Sequence, residues 1–355
     1  MKRLLFPICL MFSLLCACRK DQSDETPTTY PALRHIAETY ILPGYSALYS
    51  ELTTLETETG LFLNQPDETS LGNLRLAHKS AWLSWQRASC FGFGPAEIHQ
   101  LKEKLNTFPA DTSDIEERIL TGTGSPGNND TGGFPAVDYL LYRPGFSDAQ
   151  IAASFAGLEG AQRRTYLQTC IAQMRAVTEA VKSDWNHAYF ESFANAQGQN
   201  GNSSLSLLVN SYIIDYEWLK RNKIALPLGL LTLGIPLETR TEAYFGGYSL
   251  ELAMNHLKFL REMFASEYGI GFDDMLNEVG ASKNGGPLDE AILAVFDQAI
   301  SQGENLQDPL SQQILSDPDP VTTFYQTLQS NVVLLKTDMT SALGVSITYS
   351  DNDGD

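Results

Sequence analysis

Residues 167–185 read LQTCIAQMRAVTEAVKSDW, and the spacing of the apolar residues in this stretch decides the fold class. Apolar side chains recur at i, i+3 and i+4, which places them on one face of an α-helix, whereas a half-buried strand would alternate. A helix with such a face buries it against other helices. The residues on the predicted buried face are Leu167, Cys170, Met174, Val177, Val181 and Trp185.

The same spacing recurs in the stretches 41–55, 205–219, 250–264 and 324–339. No clear run of alternating apolar and polar residues, the pattern typical of strands, lies between them. The sequence therefore predicts an all-α protein made of two packed helical bundles.

Two polar, glycine-rich loops divide the predicted helices. The loop at 121–133 reads TGTGSPGNNDTGG, and the loop at 194–204 reads ANAQGQNGNSS. Glycine, asparagine and serine at this density favour turns and linkers over helix. We place the boundary between the bundles in the second loop, which gives an N-terminal bundle at 31–197 and a C-terminal bundle at 205–345.

The apolar segment ALPLGLLTLGIPL, at 225–237, matches neither a helix nor a strand. It is interrupted by Pro227, Gly229, Gly234 and Pro236, and it is too short to span a bilayer. We expect it to form a buried or pocket-lining loop.

The N-terminus has the pattern of a bacterial lipoprotein signal. The stretch MKRLLFPICLMFSLLCACRK combines Lys2 and Arg3 with a short apolar core, and a small residue directly before Cys18 resembles the lipobox. The sequence predicts a signal peptide at 1–17, acylation of Cys18 and a polar tether at 18–30. The protein would then be an outer-membrane lipoprotein facing the periplasm or the cell surface, held to the membrane by its lipid. Ordinary secretion with cleavage nearby is the alternative.

The chain is strongly acidic, with 24 Lys and Arg against 43 Asp and Glu and a formal net charge of −19. Nucleic acid and anionic lipid attract proteins through Lys and Arg, so this balance argues against both as partners. Cys90 and Cys170 remain after the predicted cleavage; they lack CxxC or zinc spacing, and the sequence leaves open whether they pair.

The stretch 131–145, TGGFPAVDYLLYRPG, contains candidate chemistry. Gly132 and Gly133 permit a sharp turn, and Pro135 suits a first helical position. Asp138 then falls in the first turn of the predicted helix, where the helix dipole favours an anion. These local effects predict a helix start with one carboxylate, and they require no function.

This stretch resembles the signature of the imelysin family, bacterial envelope proteins linked to iron acquisition and once classed as peptidases. The family motif is G-x-H-x-x-E, commonly followed by Tyr-Leu-Leu, and residues 133–141 read GFPAVDYLL. The resemblance implies two helical bundles with the site between them. Further stretches that look like family segments follow in order along nearly the whole mature chain, at 82–95, 105–119, 215–229, 244–257 and 335–355.

The chain departs from the family motif at the residues that a metal would need. Pro135 stands at the histidine position without a ligand atom, and Asp138 stands at the glutamate position with a shorter side chain. A glutamate that the family tends to carry before Phe-Gly-Pro is matched here near Ser89. Because a metal site needs several ligands at fixed distances, we expect the metal chemistry to be lost, with Asp138 as a weak metal candidate and no catalytic residue.

Other positions carry candidate chemistry outside the motif. Glu217 and Lys223 stand in a stretch that resembles the family's pocket wall, although an i, i+6 pair on a helix need not touch. Ser249 follows Gly246 and Gly247, where N–H groups at a helix start can bind an anion; a serine near a helix cap is the alternative. Each of the five histidines is expected to be a surface or partly buried polar residue, since no HExxH motif occurs.

Residues and resemblance together predict a non-catalytic, ligand-binding lipoprotein of the cell envelope, associated with iron or haem acquisition and with uptake components as candidate partners. No cofactor is predicted, and iron and haem both remain candidate ligands. The alternatives are a metallopeptidase, and a structural or partner-docking surface protein that would expose an apolar patch. The residues expected to contribute to a cleft between the bundles are Trp85, Gly133, Pro135, Asp138, Tyr139, Glu217, Lys223 and Ser249.

Overall fold

The structure is a computed structural model, and it describes residues 29–158, 160–196, 201 and 203–349. The predicted signal peptide, Cys18 and most of the tether lie outside these residues. So do residues 197–200 and 202 of the loop at 194–204, in which the sequence predicts the boundary between two domains. The division into those two domains therefore stays a prediction.

The N-terminal half is organised around helix Leu42–Asn64, which packs against both Glu68–Gln86 and Ala161–Asp184. Asp67 is the N-cap residue of helix Glu68–Gln86. Its carboxylate accepts a hydrogen bond from the Ser70 N–H at 2.8 Å, and the Ser70 hydroxyl accepts one from the Asp67 N–H at 3.1 Å, which is a capping box. The other α-helices of this half are Thr29–Ile36, Pro95–Ile98, Leu101–Leu105, Thr112–Thr121, Gly133–Leu141, Asp148–Ala153 and Phe190–Asn195.

The C-terminal half is organised around helix Leu288–Gly303, which packs against Ser249–Phe264 and Pro318–Val333. Helix Ser249–Phe264 also packs against Glu68–Gln86 of the other half, so the two sets of helices share a buried surface. The other α-helices of this half are Ser204–Trp218, Leu226–Leu228, Phe272–Glu278, Leu310–Ser316 and Thr340–Leu343.

Short elements of other kinds connect the helices. A hairpin pairs Ser282–Lys283 antiparallel with Gly286–Pro287. Asn284 and Gly285 form its turn with positive φ angles of 54° and 87°, a conformation for which Asn-Gly is favoured. The 3₁₀-helical turns are Ser89–Phe91, Asn129–Thr131 and Glu238–Arg240, and the π-helical turns are Ala37–Ile41, Trp185–Tyr189, Leu219–Ala225 and Leu334–Met339.

The predicted all-α fold of packed helical bundles is confirmed. All six apolar residues predicted for the inner face of 167–185 are buried. Cys90 and Cys170 are buried free thiols and do not pair. Within the described part of the chain, no helix has the length and apolar character needed to cross a membrane.

Helix Gly133–Leu141 is entirely buried, and it packs against Glu68–Gln86 and Ala161–Asp184. Because this helix begins at Gly133, Pro135 is its third residue and Asp138 lies beyond its first turn. The prediction that Pro135 takes the first position and Asp138 the first turn is therefore wrong. Proline is tolerated there because N–H groups of a first turn have no acceptor within the helix.

The sequence predicts a buried or pocket-lining loop at 225–237; burial is wrong for its central part, although Ala225 and Leu231 line a recess. Pro227 and Leu228 are buried, but most of the apolar side chains from Leu230 to Ile235 are exposed. Glycine-centred turns fold this part back on itself and away from the core.

Candidate functional site

A cavity of about 320 Å³ lies beside helix Gly133–Leu141, with Pro135 and Asp138 in its wall. The rest of its lining is mostly apolar and aromatic with a few hydroxyl groups, which is the usual balance of small-molecule sites. The other lining residues are Phe108, Pro109, Ala110, Thr112, Thr239, Thr241, Ala243, Tyr244 and Phe245.

Asp138 is the carboxylate among the lining residues of this cavity, and it is 1% exposed. Its Oδ2 accepts hydrogen bonds from the backbone N–H groups of Phe245 at 3.0 Å and Gly246 at 3.2 Å. Its Oδ1 is buried and has no hydrogen-bond partner among the described residues. Burial raises the pKa of Asp138 to about 7, because desolvation of the carboxylate outweighs the two N–H bonds. The group can therefore gain or lose a proton near neutral pH.

Two glycines permit the close packing around Asp138. Gly133 has a φ of 69°, and a Cβ there would clash with the backbone carbonyl of Leu105. A Cβ on Gly246 would lie 2.7 Å from Asp138 Oδ1. At Gly133 the backbone of Leu105 occupies the space of a side chain, and at Gly246 the ring of Tyr248 and the carboxylate of Asp138 occupy it.

Gly133→Ala is expected to destabilise the protein by about 1–3 kcal/mol more than Gly145→Ala. Gly145 also has a positive φ, 80°, so both alanines incur the cost of the left-handed backbone region; a Cβ on Gly145, however, meets no atom within 4 Å. The difference between the two losses, measured by chemical denaturation, isolates the clash with Leu105. Equal losses would show that the helix start moves freely away from Leu105.

A buried polar network adjoins the cavity through Glu242, which follows the cavity-lining Thr241. One carboxylate oxygen of Glu242 lies 2.9 Å from Lys223 Nζ, and the other accepts hydrogen bonds from Asn106 at 2.7 Å and Gln86 at 3.1 Å. Lys223 also donates to the amide oxygen of Gln86. Burial lowers the pKa of Lys223, and the carboxylate of Glu242 opposes that shift. Residues 242–246 therefore contact both groups: Phe245 and Gly246 donate to Asp138, and Glu242 forms an ion pair with Lys223.

Asp215 and His256 form a second buried polar pair, with Oδ2 and Nε2 2.6 Å apart. The Ser89 hydroxyl donates to the same Oδ2 at 2.8 Å, and Lys102 Nζ lies 3.3 Å from Oδ1. Burial alone would raise the pKa of Asp215, but His256, Lys102 and the hydrogen bonds outweigh it and hold that pKa well below its usual range. Ser89 and Asp215 both face Nε2, so the group lacks the order of a serine–histidine–aspartate relay, in which the acid holds the other ring nitrogen.

His78 is a buried histidine beside the motif helix. Its Nε2 donates to the Phe134 carbonyl oxygen at 3.1 Å, and its Nδ1 accepts from the Tyr248 hydroxyl at 3.1 Å. Burial lowers the pKa of His78 to about 4. Both ring nitrogens are therefore used by the neutral form, and His78 does not replace the motif histidine that Pro135 lacks.

Some of the candidate residues predicted from the sequence meet at the cavity. Pro135 and Asp138 line it, and Gly133 begins their helix. Tyr139 lies next to the wall, since its ring packs edge-on against that of Phe245 at 5.3 Å. Its hydroxyl donates to a carboxylate oxygen of Glu116 at 2.8 Å, so it acts in packing the wall.

Trp85, Glu217 and Lys223 do not line the cavity. Trp85 is part of the buried core. Glu217 accepts a hydrogen bond from Lys336 at 3.2 Å, and Lys223 is held by Glu242 as described. The expected cleft therefore contains fewer of these residues than the sequence predicts, because the helix that carries Glu217 and Lys223 directs them to other partners.

The N–H groups expected to bind an anion near Ser249 are occupied by the chain itself. Leu250 and Glu251 donate to the two carboxylate oxygens of Asp308 at 2.8 Å and 3.0 Å. The Ser249 hydroxyl is buried without a hydrogen-bond partner in the part of the chain described. A carboxylate distant in sequence therefore occupies these two N–H groups, and a ligand contact of Ser249 itself stays a prediction.

The residues around Asp138 do not fit a metal centre. Pro135 has no donor atom, and Asp138 Oδ2 already accepts two N–H bonds. Over the described ranges, no group of three or more His, Cys, Asp or Glu side chains is placed to hold a metal ion. A metal site requires several such donors at fixed distances.

The sequence of this chain was compared with a family profile and with curated proteins. The sequence profile of the imelysin family, described as peptidase M75, matches residues 41–337. The chain has no match among curated proteins.

Solved structures share the fold. One is the crystal structure of an imelysin-like protein from Psychrobacter arcticum 273-4, with a TM-score of 0.71 and 16% identity over 91% of this chain and 97% of that chain. Another is that of a protein named as an iron-regulated protein A precursor, from Parabacteroides distasonis ATCC 8503, with a TM-score of 0.73 and 15% identity over 91% and 97%. At these identities the likeness establishes the fold alone. The family profile, which covers most of the chain, establishes more: the protein belongs to the imelysin family.

Proposed function

We propose that this protein binds a small ligand in the Asp138 cavity without catalysing a reaction there, and that this binding serves iron or haem acquisition at the cell envelope. The observation that carries the proposal is the buried carboxylate of Asp138, which has one unpartnered oxygen and lies in the wall of a mainly apolar cavity. A ligand that donates a hydrogen bond or carries a positive charge would supply the missing partner and favour the charged form.

Family membership and a similar structure support the association with iron. The Parabacteroides distasonis protein is named for iron regulation, and we extend that association to this chain as part of the proposal. The cavity, at about 320 Å³, is near the lower end of the range for small-molecule sites. It suits a compact ligand such as an iron chelate, or one edge of a haem whose remainder lies outside.

A cavity-filling variant tests the ligand site. Ala110 lines the cavity, so Ala110→Trp occupies its space while Asp138 is retained. In titrations of the full chain with haem and with a ferric chelate, wild type is expected to bind one of them, and Ala110→Trp to bind it about tenfold more weakly or worse. Leu120→Trp, at an exposed helix position, is the matched control. Equal affinity in wild type and Ala110→Trp would place the ligand elsewhere.

Metal binding separates this proposal from the metallopeptidase alternative. Wild type is expected to bind zinc and iron ions weakly, since the cavity lacks a set of donors. Submicromolar binding of either ion that disappears in Asp138→Asn would show that the non-catalytic assignment is wrong. Pro135→His/Asp138→Glu restores the residue types of the family motif and serves as the comparison.

Attachment to the outer membrane through an acyl group on Cys18 completes the proposal, and it concerns residues outside the described part. Cys18→Ala removes the acyl acceptor, so the protein is expected to appear in the periplasm or the medium after the membranes are washed. Immunoblots of the fractions measure this. Retention on washed membranes at the wild-type level would contradict lipid anchoring.

A further inference from the structure

Residues 229–235, which we call the apolar tip, expose large apolar side chains on one turn. Leu230 is 42% exposed, Leu231 44%, Leu233 101% and Ile235 64%. Single exposed apolar residues are ordinary on protein surfaces, but a contiguous group marks an interaction surface.

Hydrogen bonds within the apolar tip hold its shape. The Gly234 N–H donates to the Gly229 carbonyl at 3.0 Å, the Ile235 N–H donates to the Thr232 carbonyl at 3.1 Å, and the Thr232 hydroxyl donates to the Ile235 carbonyl at 2.6 Å. Leu233 has a φ of 56°, a region that residues other than glycine avoid. The chain thus keeps an unfavourable backbone conformation at the residue whose side chain is fully exposed, which core packing does not explain.

The charges near the apolar tip differ from those of the chain as a whole. Residues 224–237 contain no charged residue, and a recess of about 620 Å³ beside them has a cationic lining. One of its cations, Lys336, lies 3.2 Å from Glu217. Leu231 of the apolar tip also lines this recess, whose cations are Lys220, Arg221 and Lys336. Lys220 is buried and donates to the amide oxygen of Gln329 at 2.8 Å.

We propose that the apolar tip enters the interfacial region of a phospholipid bilayer, with the cationic recess at the level of the headgroup phosphates. Lipid offers no partners to a backbone, so an inserted segment has to satisfy its own N–H and C=O groups, and this turn bonds many of its own. Apolar side chains beside basic ones are the arrangement of interfacial binding. The net charge of −19 disfavours binding to an anionic membrane. Zwitterionic phospholipids also carry a phosphate group, so the contact with the cationic recess does not require anionic lipid. The proposal depends neither on the Asp138 ligand nor on Cys18.

Vesicle flotation tests this proposal with the full chain carrying Cys18→Ala, so that no acyl group contributes. The probe is a vesicle of phosphatidylcholine and phosphatidylethanolamine. The parent is expected to float with the vesicles, and Leu233→Asp is expected to lower its partition coefficient about tenfold or more. Leu158→Asp changes a residue that is 93% exposed elsewhere, and it is expected to leave partition unchanged. Arg221→Gln is expected to lower partition by a smaller factor.

Two outcomes overturn the proposal. Either the parent does not float, or Leu233→Asp and Leu158→Asp partition equally. Sedimentation velocity tests whether a second copy of the chain occupies the apolar tip instead of lipid. If the parent does not bind vesicles but forms a dimer, and Leu233→Asp dissociates that dimer, then the apolar tip is an interface between two copies of the chain. Because Leu233 is fully exposed, the aspartate is compatible with the folded state, which circular dichroism checks.

Discussion

Replacing Lys223 with methionine is expected to lower the free energy of unfolding by about 3–5 kcal/mol, because it leaves the carboxylate of Glu242 buried without its cation. Lys223 is 3% exposed and Glu242 is 1% exposed. Water therefore cannot replace the lost ammonium group. Asn106 and Gln86 still donate to the carboxylate, but neutral donors offset only part of the charge. Urea denaturation at neutral pH measures the loss.

Lys258→Met is the matched control for Lys223→Met. Lys258 Nζ lies 2.7 Å from Glu304, but both side chains are more than half exposed, so the loss is expected to stay below about 1 kcal/mol. Lys223→Met/Glu242→Gln should recover much of the stability, because the amide keeps an acceptor without a charge. If Lys223→Met costs no more than Lys258→Met, Glu242 is not held as a buried anion.

The free energy of unfolding of wild type relative to that of Asp138→Asn is expected to fall between about pH 4 and pH 7, because the contribution of Asp138 decreases in that window. The pKa of Asp138 is about 7 in the folded state, against an ordinary value of 3.8. In this window the carboxyl group of Asp138 therefore binds more protons in the folded state than in the unfolded state, so its contribution to stability decreases as pH rises. A shift of this size corresponds to on the order of 4 kcal/mol across the window. Asparagine keeps an oxygen to accept the N–H bonds of Phe245 and Gly246.

Asp148→Asn is the control for the pH experiment. Asp148 is ion-paired with Arg75 at 2.9 Å, and this contact lowers its pKa. Its contribution therefore changes at lower pH than that of Asp138. Chemical denaturation across the pH range compares the three proteins. Parallel curves for wild type and Asp138→Asn would show that Asp138 ionises normally in the folded protein.

The helices were predictable because their signal is local. The i, i+3, i+4 spacing of apolar residues at 167–185 records which face is buried, whatever that face packs against. The start of helix Gly133–Leu141 was displaced in the prediction because Pro135 is acceptable anywhere in a first turn, so proline alone does not fix the first residue. The burial of the central part of 225–237 was misjudged because composition indicates that a segment is apolar, but does not indicate which side of a glycine turn faces solvent.

The cavity was predictable in part through the family resemblance, which drew attention to Pro135 and Asp138. Its polar surroundings were not predictable, because each partner is distant in sequence. Glu242 meets Asn106 and Gln86 from another part of the chain, and no local pattern marks any of them as a partner. The raised pKa of Asp138 likewise follows from burial, a property of the assembled fold that the sequence around this residue does not record.

The π-helical turn Leu219–Ala225 bears on how chains of this family are aligned. In such a turn the backbone N–H bonds reach one residue further back than in an α-helix, so one additional residue is absorbed without changing the faces on either side. A relative with a regular helix at this point would be one residue shorter and would still pack the flanking apolar faces in the same way. An alignment with such a relative needs a gap of one residue in this turn. Each residue of a helix turns the chain by about 100°, so a gap on the wrong side of Lys223 would align Lys223 with a side chain that faces another direction. The residue equivalent to Lys223 should therefore be identified by its contact with the counterpart of Glu242, and not by counting from the tyrosine and tryptophan that precede it.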